Sequence, residues 1–243
     1  MPFVYFYSSE TNVNNFKSLK IGFDRYLSAY GPYEFQPFAD RETFEAQVKD
    51  KGRCLLILSS WHYQNIFREY GLRSILAGGR NGEKYQNRIL VVKGEPVDIN
   101  YLKTARIASA SSMNHTRIVL DAMFGQKNIT DNLRILKVPK DIDALMSVGF
   151  GMSAAALTTK NAFEELKNIN SVLYGRLSVL VEGEASLMLV LAAPSDFVKQ
   201  AEDMIAVFRK MPMTPEGKNN MGMLGLDNWV TLDPDDLKRL EAE

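Results

Sequence analysis

The segment 105–125, ARIASASSMNHTRIVLDAMFG, contains a predicted strand, a polar connection and a predicted helix in direct succession. The apolar residues of ARIAS (105–109) are typical of a buried strand, and the glycine at position 125 suits the residue after a helix. The helix is predicted over 114–124, with an inward face formed by Ile118, Val119, Ala122 and Met123. Serine, asparagine, histidine and threonine fill the connection SASSMNHT (109–116). A strand that leads through a short connection into a helix is the building unit of an α/β fold.

The same order of strands and helices recurs on both sides of this segment. Before it, the sequence predicts strands at FVYFY (3–7), CLLIL (54–58), RSILAGG (73–79) and NRILVV (87–92), helices at 16–30 and 41–50, and a loop with a helix at 59–71. After it, the sequence predicts strands at 133–138, 151–159, 171–180 and 185–193, helices at 140–149, 161–169 and 195–210, and a last short acidic helix. The inward face of helix 16–30 is predicted to comprise Phe16, Leu19, Phe23, Leu27 and Tyr30. This alternation predicts two α/β units, each a layered sheet with helical crossovers.

Two connections between the units predict a two-lobed molecule. The chain enters the second unit through NRILVVKGE (87–95) and returns through ASLMLVLAA (185–193). We therefore predict one lobe from residues 1–88 and 190–243, and a second lobe from residues 89–189. A two-lobed α/β protein is expected to bind its ligand in the cleft between the lobes, near the carboxyl ends of strands.

Composition excludes several classes of protein. The 243 residues contain 29 Lys plus Arg and 29 Asp plus Glu, so the basic excess of a nucleic-acid-binding protein is missing. The single cysteine, Cys54, cannot form an internal disulfide, and its apolar neighbours favour a buried thiol over a nucleophile. No apolar stretch approaches the roughly 20 residues that span a bilayer. The start, MPFVYFYSSE (1–10), lacks the basic residues and the cleavage site of a signal peptide.

The sequence also lacks the common motifs of enzymes. Its two histidines, His62 and His115, have no partner at metal-ligand spacing. It contains no P-loop, no GxGxxG motif after a strand and no GxSxG nucleophile motif. We therefore predict neither a metal nor a cofactor, and a binding protein is favoured over an enzyme.

Polar connections at 8–15, 59–65 and 109–116 each follow a predicted strand and precede a predicted helix. A helix N-terminus carries unpaired N–H groups and a positive dipole end, so hydroxyl groups beside it complete a site for an oxyanion. The alternative is that these serines, threonines and asparagines are ordinary helix caps. Three connections of the same kind favour anion binding more than one would alone.

Each lobe contributes one histidine to these connections. His62 and His115 are each expected to donate a hydrogen bond to the ligand, and partial protonation would favour an anion. Trp61 and Tyr63 offer an apolar wall beside His62, although packing of the helix at 59–71 explains them equally well.

Several segments, in this order, resemble a known family. They are FYSSE (6–10), LSSWHY (58–63), YQNRILVV (85–92), ARIASASSMNHT (105–116), DALMSVGFGMSAAAL (143–157) and TPEGKNNMGMLGLDNW (214–229). Together they are similar to the periplasmic substrate-binding proteins of ABC transporters for phosphonate, phosphite and similar oxyanions. Ser153 departs from the pattern, because that family often has an aspartate there. Few charged residues lie in the candidate connections, which favours a simple oxyanion or a neutral polar ligand over an aminoalkyl phosphonate.

The resemblance implies a type 2 periplasmic-binding-protein-like fold, with a mixed sheet flanked by helices in each lobe and a ligand cleft between the lobes. It implies a solute-binding protein that captures its ligand by hinged closure and delivers it to a transporter permease. The implied ligand-binding residues are Ser8, Ser9, Ser60, Trp61, His62, Tyr85, Ser111, Ser112, Asn114, His115, Thr116 and Ser153. Neither catalytic nor metal-binding residues are implied. The implied compartment is the periplasm, with the cytoplasm as the alternative if no leader precedes this chain.

Two other functions remain open on the same two-lobed fold. One is an enzyme in which His115 acts as a general base, because fold does not fix function. The other is a cytoplasmic ligand-sensing domain that works without a transporter.

Overall fold

The structure, a computed structural model, describes residues 3–8, 15–51, 53–95, 98–125 and 133–241. The chain divides into two compact units. Among the described residues, the first unit comprises 3–8, 15–85 and 186–241, and the second comprises 86–185 apart from the gaps. Each unit contains one sheet flanked by helices, which confirms the predicted mixed α/β class.

Strands and helices alternate along most of the chain. The first part contains β1 Phe3–Tyr7, α1 Phe16–Ser28, β2 Glu34–Pro37, α2 Arg41–Lys51, β3 Cys54–Ser59, α3 Ser60–Ile66, β4 Leu72–Gly79 and β5 Tyr85–Lys93. The middle part contains a 3₁₀ helix at Ile99–Thr104, β6 Arg106–Ser109, α4 Met113–Phe124, β7 Arg134–Lys137, α5 Asp141–Gly149, β8 Ala155–Thr159, α6 Lys160–Ile169, α7 Ser171–Tyr174 and β9 Leu177–Leu187. The last part contains β10 Leu189–Pro194, α8 Glu202–Lys210, a 3₁₀ turn at Met211–Met213, α9 Pro215–Met223, β11 Asn228–Thr231 and α10 Pro234–Leu240.

The sheet of the first unit has the strand order β11-β4-β10-β3-β1-β2. Strand β1 runs parallel to β2 and β3, whereas β10 runs antiparallel to β3 and β4. Strands β3 and β10 are buried along their whole length, because alternate side chains enter cores on opposite faces of the sheet. Tyr7 of β1 lies beside Leu58 of β3, so both strands end at one edge, which we call the first carboxyl edge.

The sheet of the second unit has the strand order β7-β6-β8-β5-β9. Strands β6, β7 and β8 are parallel, and β5 runs antiparallel to β8. Ser109 of β6 lies beside Leu157, and Arg88 of β5 lies beside Thr159. The ends of β6 and β8 and the start of β5 therefore share one edge, the second carboxyl edge. The opposite edge, where β6, β7 and β8 begin, is called the amino edge below.

The inward face of α4 differs from the prediction. Its buried residues are His115, Thr116 and Leu120, whereas Ile118 is 43% exposed and Ala122 is also exposed. Val119 and Met123 do pack against the core, as expected. The helix is rotated because its first turn buries polar groups: the Thr116 hydroxyl lies 2.9 Å from the Ser109 hydroxyl. On α1, Tyr30 is likewise exposed, because the helix ends at Ser28.

Segments with mixed patterns also differ from the prediction. Residues 59–71 contain no loop before the helix, because Ser59 ends β3 and caps α3 directly. Residues 171–180 form α7 before β9, since Asn170 caps a short helical turn. The long apolar run 185–193 is interrupted at Met188, where the chain leaves one sheet and joins the other.

Two helices near the C-terminus begin at positions that the prediction missed. The helix expected at 195–210 begins only at Glu202, after a turn. The segment 214–229 contains α9, with Thr214 as its cap and Pro215 at its first position, and then the start of β11.

Candidate functional site

The first turn of α4 lies at the second carboxyl edge and brings five predicted ligand-binding residues together. They are Ser111, Ser112, Asn114, His115 and Thr116. The Ser112 hydroxyl caps the helix by accepting a hydrogen bond of 3.3 Å from the His115 N–H. The Ser111 N–H donates to the Ser109 hydroxyl at 3.2 Å. These bonds fix the polar turn between strand and helix.

Exposure differs among these five residues. Ser111, His115 and Thr116 are buried, Ser112 is half-buried and Asn114 is exposed. The N–H groups of residues 113 and 114 belong to the first helical turn, where the helix itself offers no acceptor. An anion at this turn would meet those N–H groups and the positive end of the helix dipole.

A buried ion pair stands at the same edge, and sequence reasoning missed it. Arg88 is 4% exposed and its Nη1 donates to Oδ1 of Asp141, at the start of α5, over 3.0 Å. The Thr158 hydroxyl donates to the backbone carbonyl of Asp141 at 3.2 Å. The signal in the sequence was a lone arginine at the start of the apolar run NRILVV, but its partner lies 53 positions away.

His115 is held neutral at physiological pH. Burial, and then the nearby positive charge of Arg88, lower the pKa of His115 from 6.5 to about 3. Burial also lowers the pKa of His62, against the effect of its hydrogen bond to Glu45. The predicted partial protonation is therefore wrong for His115, and burial of the His62 ring acts in the same direction.

His62 is enclosed in the first unit. It is fully buried, and its Nε2 lies 2.7 Å from Oε1 of Glu45 on α2. The ring of Tyr7 meets the His62 ring edge-on at 5.3 Å between centroids, and Phe44 packs at 5.4 Å. His62 therefore joins α3 to α2, and Tyr63, also fully buried, packs in the same core.

The other predicted residues near the first carboxyl edge differ in burial and in hydrogen bonding. Ser8 follows β1 and is half-buried. The Ser60 hydroxyl donates to the Leu187 carbonyl at 2.6 Å, so its proton is engaged within the unit. Trp61 is half-buried, with the guanidinium of Arg41 5.8 Å from the centre of its ring.

Tyr85, at the start of β5, is tied to the C-terminal helix. Its hydroxyl donates to Oδ1 of Asp236 at 2.5 Å, and Asp236 is fully buried. Lys84 adds an ion pair of 2.6 Å to Asp236 and another of 2.6 Å to Asp233. Burial, and then the bond to Asp236, raise the pKa of Tyr85.

The structure does not bring Ser153 to the second carboxyl edge. Ser153 precedes β8 and so lies at the amino edge, where its hydroxyl is 2.7 Å from the Ser147 hydroxyl of α5. A bond between the two serines satisfies this buried position without a ligand. Ser9, the remaining predicted residue, lies outside the described residues.

Within the described ranges, no three His, Cys, Asp or Glu side chains are grouped so that they could hold a metal ion. Within the same ranges, no helix is both long and apolar enough to cross a membrane.

Comparison with known proteins decides the family. Residues 24–237 match the family model of the phosphonate periplasmic substrate-binding proteins of ABC transporters. The chain belongs to this family. No curated protein sequence matches the chain.

Solved structures of similar fold include other members of this class. A binding protein component of an ABC phosphonate transporter from Pseudomonas aeruginosa has a TM-score of 0.71 at 14% identity, with 98% of this chain and 84% of that chain covered. PhnD1 from Prochlorococcus marinus, in complex with methylphosphonate, has a TM-score of 0.69 at 13% identity, with 98% and 95% covered. A Xanthomonas citri protein bound to ATP has a TM-score of 0.70 at 11% identity, with 98% and 94% covered. At these identities the likeness shows the fold, which is the two-lobed periplasmic-binding-protein fold.

Proposed function

We propose that this family member binds a small oxyanion of the phosphonate or phosphite type at the second carboxyl edge. The observation that carries the proposal is the polar turn 109–116 at the start of α4, with the buried Arg88 close to His115. Family membership supports the ligand class, and PhnD1 of the same fold was solved with methylphosphonate.

The chemistry of the turn suits an anion that carries several oxygens. Because the Ser112 hydroxyl accepts its bond from His115, its own proton is available to donate to a ligand oxygen. The N–H groups of residues 113 and 114 add two further donors at the positive end of the helix. Hydrogen bonds to ionised groups are stronger than neutral ones, so a few such donors suffice to hold an oxyanion.

Arg88 gives this edge a fixed positive charge, and Asp141 balances it. The Arg88–Asp141 pair adds no net charge, so the ligand's charge would be met by dipoles and hydroxyl groups. The pair also holds the guanidinium in one place, which supports recognition of a specific geometry. This arrangement favours simple oxyanions over ligands that need a free carboxylate for an amine.

The ligand-binding roles of the first-unit residues stay predictions. Ser60 and Tyr85 have donated their hydroxyl protons within the unit, so they would offer only acceptor oxygens or surface. Ser8, Trp61 and the imidazole of His62 are the other described members of the predicted set, and Ser9 lies outside the described residues. Ser153 is not part of the proposed site because of its position at the amino edge.

We further propose that the protein delivers its ligand to a transporter permease in the periplasm and does not transform it. Membership in a family of transporter components supports this role. The enzyme alternative required His115 as a general base, and a histidine with a pKa of about 3 is a weak base at neutral pH.

A calorimetric titration of the double variant Ser111→Ala, Ser112→Ala tests the site. We expect a loss of affinity of roughly 5- to 150-fold for methylphosphonate or phosphite, because two hydroxyl groups leave the turn and a neutral hydrogen bond contributes roughly 0.5–1.5 kcal/mol. The matched control is Asn170→Ala, which removes the cap of α7 in the same unit but at the amino edge. An unchanged affinity in the folded double variant would refute the assignment of the turn.

A further inference from the structure

The amino edge of the second unit displays apolar side chains to solvent. Of the eleven large hydrophobic residues that are exposed among the described residues, five lie on the turns and helix ends at this edge. They are Tyr101, Phe150, Met152, Ile169 and Val172, and Phe150 has 72% of its surface exposed. Single exposed apolar residues are ordinary, whereas a concentration at one end of a unit marks an interaction surface.

Backbone and packing contacts hold these turns together. Arg106, at the start of β6, reaches the Met152 carbonyl with its Nη1 at 3.5 Å. Lys93, at the end of β5, donates to the Gly149 carbonyl at 3.3 Å, directly before Phe150. Any side chain at Gly149 would collide with Leu173, the neighbour of Val172, so α5 and α7 are packed closely here. These contacts tie the turns that carry Phe150, Met152 and Val172 to the sheet and to one another.

Positive charge surrounds the same surface. Exposed cations at this edge are Lys93, Arg106, Arg134, Lys167 and Arg176, and exposed acids in its described part are Glu95 and Asp98. Arg106 and Arg134 are direct neighbours on β6 and β7. Two like charges side by side on a sheet are unfavourable in isolation, and an anionic partner would relieve that repulsion. The whole chain has no net charge, so this local excess is a property of the surface itself.

We propose that the amino-edge surface, defined by the five apolar and five cationic residues above, docks onto an anionic lipid surface. Aromatic and aliphatic tips among basic side chains are the combination with which peripheral proteins insert shallowly into the headgroup region. The negative surface potential of the lipid then attracts the Lys and Arg side chains. A lipid surface requires only charge of one sign and shallow insertion, which is what this edge offers. A protein partner would require a matched pattern of acidic residues, and it is the competing outcome of the test below.

Vesicle sedimentation tests the proposal on the full chain. The probes are vesicles of phosphatidylcholine with 30% phosphatidylglycerol, and vesicles of phosphatidylcholine alone. We expect binding to the first at low salt, at least tenfold weaker binding to the second, and release at about 0.5 M NaCl because salt screens the charges. No binding to either vesicle, or equal binding to both, would overturn the proposal. If the protein binds neither vesicle but sediments with its permease in detergent, the surface is a binding site for a protein partner, and the lipid proposal fails.

Two variants locate the binding surface. Arg106→Glu with Arg134→Glu should weaken binding at least 25-fold, because each basic residue near an anionic surface contributes about fivefold. Phe150→Ser should weaken binding several-fold. Because this substitution leaves the net charge of the protein unchanged, its effect reports the apolar contact alone. The matched control is Lys17→Glu with Arg25→Glu, two exposed cations on α1 of the first unit, which makes the same change in net charge. Equal losses in the control and in the test variant would show that net charge alone is responsible and would refute the surface. Thermal melting of every variant verifies that the fold is intact.

Discussion

Arg88 shows how burial changes the meaning of a single residue. In the sequence it begins an apolar strand, and an arginine there fits a solvated strand end. In the structure its guanidinium is buried against Asp141 and lowers the pKa of His115. A buried charge must be paired, and breaking such a pair typically costs 3–5 kcal/mol. Arg88 therefore has a structural role at this edge whether or not it touches the ligand.

Spacing identified the serines of the proposed site but not the charged residues beside them. Ser111 and Ser112 stand out because they lie between a strand and a helix, which is a local pattern. The Arg88–Asp141 pair depends on antiparallel pairing of β5 with β8 and on the position of α5, which no local pattern records. The neutral state of His115 depends on the same tertiary burial. The position of the serines beside a helix start was therefore predictable, whereas the protonation of His115 and the pairing of Arg88 were not.

The buried state of His115 predicts that stability falls in mild acid. Its pKa in the folded protein, about 3, is below the ordinary value of 6.5. The unfolded chain therefore binds a proton below pH 6.5 that the folded chain rejects, so stability is highest above that pH and is lost as the pH falls. Between pH 7 and pH 5 we expect His115 alone to cost about 2 kcal/mol of unfolding free energy. Urea unfolding at several pH values measures it.

The control for this effect is the variant His115→Gln, which keeps a polar side chain without the titration. Its unfolding free energy should fall less between pH 7 and pH 5 than that of the parent protein. The lowered pKa of His62 adds a slope in the same direction in both proteins. Parallel pH profiles for the two proteins would show that His115 titrates normally in the folded state.

At the level of elements, the C-terminal helix α10 holds the chain that leads into β5. Asp236 accepts hydrogen bonds from Tyr85, from Lys84 and, at 2.8 Å, from the N–H of Asp233, which it caps reciprocally. One buried carboxylate thus connects the last helix to the start of a strand that passes from the first unit to the second. The acidic composition of this helix was visible in the sequence, but its partner was not.

Replacing Asp236 with asparagine should loosen this connection. The variant Asp236→Asn keeps the size of the side chain but removes its charge and places an N–H₂ group near donors. We expect a loss of about 2–4 kcal/mol of unfolding free energy, because one of the two buried oxygens that accept from Lys84 and Tyr85 becomes a donor and the charge opposite Lys84 is lost. Urea denaturation measures the loss. Asp235→Asn, one position earlier and exposed, should cost under about 1 kcal/mol. Equal small effects for both variants would contradict the connection.

The elements that the sequence predicted well are those with one clear period. Strands β1, β3 and β4 and helices α1 and α2 lie close to their predicted positions because their apolar patterns are regular. The run 185–193 was predicted as one strand because both sides of Met188 are equally apolar. Hydrophobic pattern cannot show that the two sides belong to different sheets. The prediction of the inward face of α4 was wrong because it assumed apolar residues there, whereas polar side chains occupy the buried face.

At the scale of the whole molecule, the order of the segments was enough to indicate the family, although the residues within them differ widely from those of similar structures. The family model spans residues 24–237, yet the similar structures share only 11–14% of their residues with this chain. Layer architecture tolerates such change because volume and patterning, more than particular side chains, specify a core. The position of a single residue is less predictable from segment order, because Ser153 lies at the amino edge and not beside the turn 109–116.

Ligand binding to the intact protein should raise its melting temperature without changing the ligand. A ligand at a hundred times its dissociation constant stabilises the folded state by about 2.7 kcal/mol. For a chain of this size that corresponds to a shift of roughly 5–10 °C. We expect such shifts with methylphosphonate or phosphite, and a smaller shift with 2-aminoethylphosphonate, because the net-neutral Arg88–Asp141 pair offers no free carboxylate to an amine. Phosphorus NMR of the same samples after a day should show the ligand intact. A melting shift accompanied by a new phosphorus resonance would establish the enzyme alternative, and a flat panel would refute oxyanion binding even though the family fold remains.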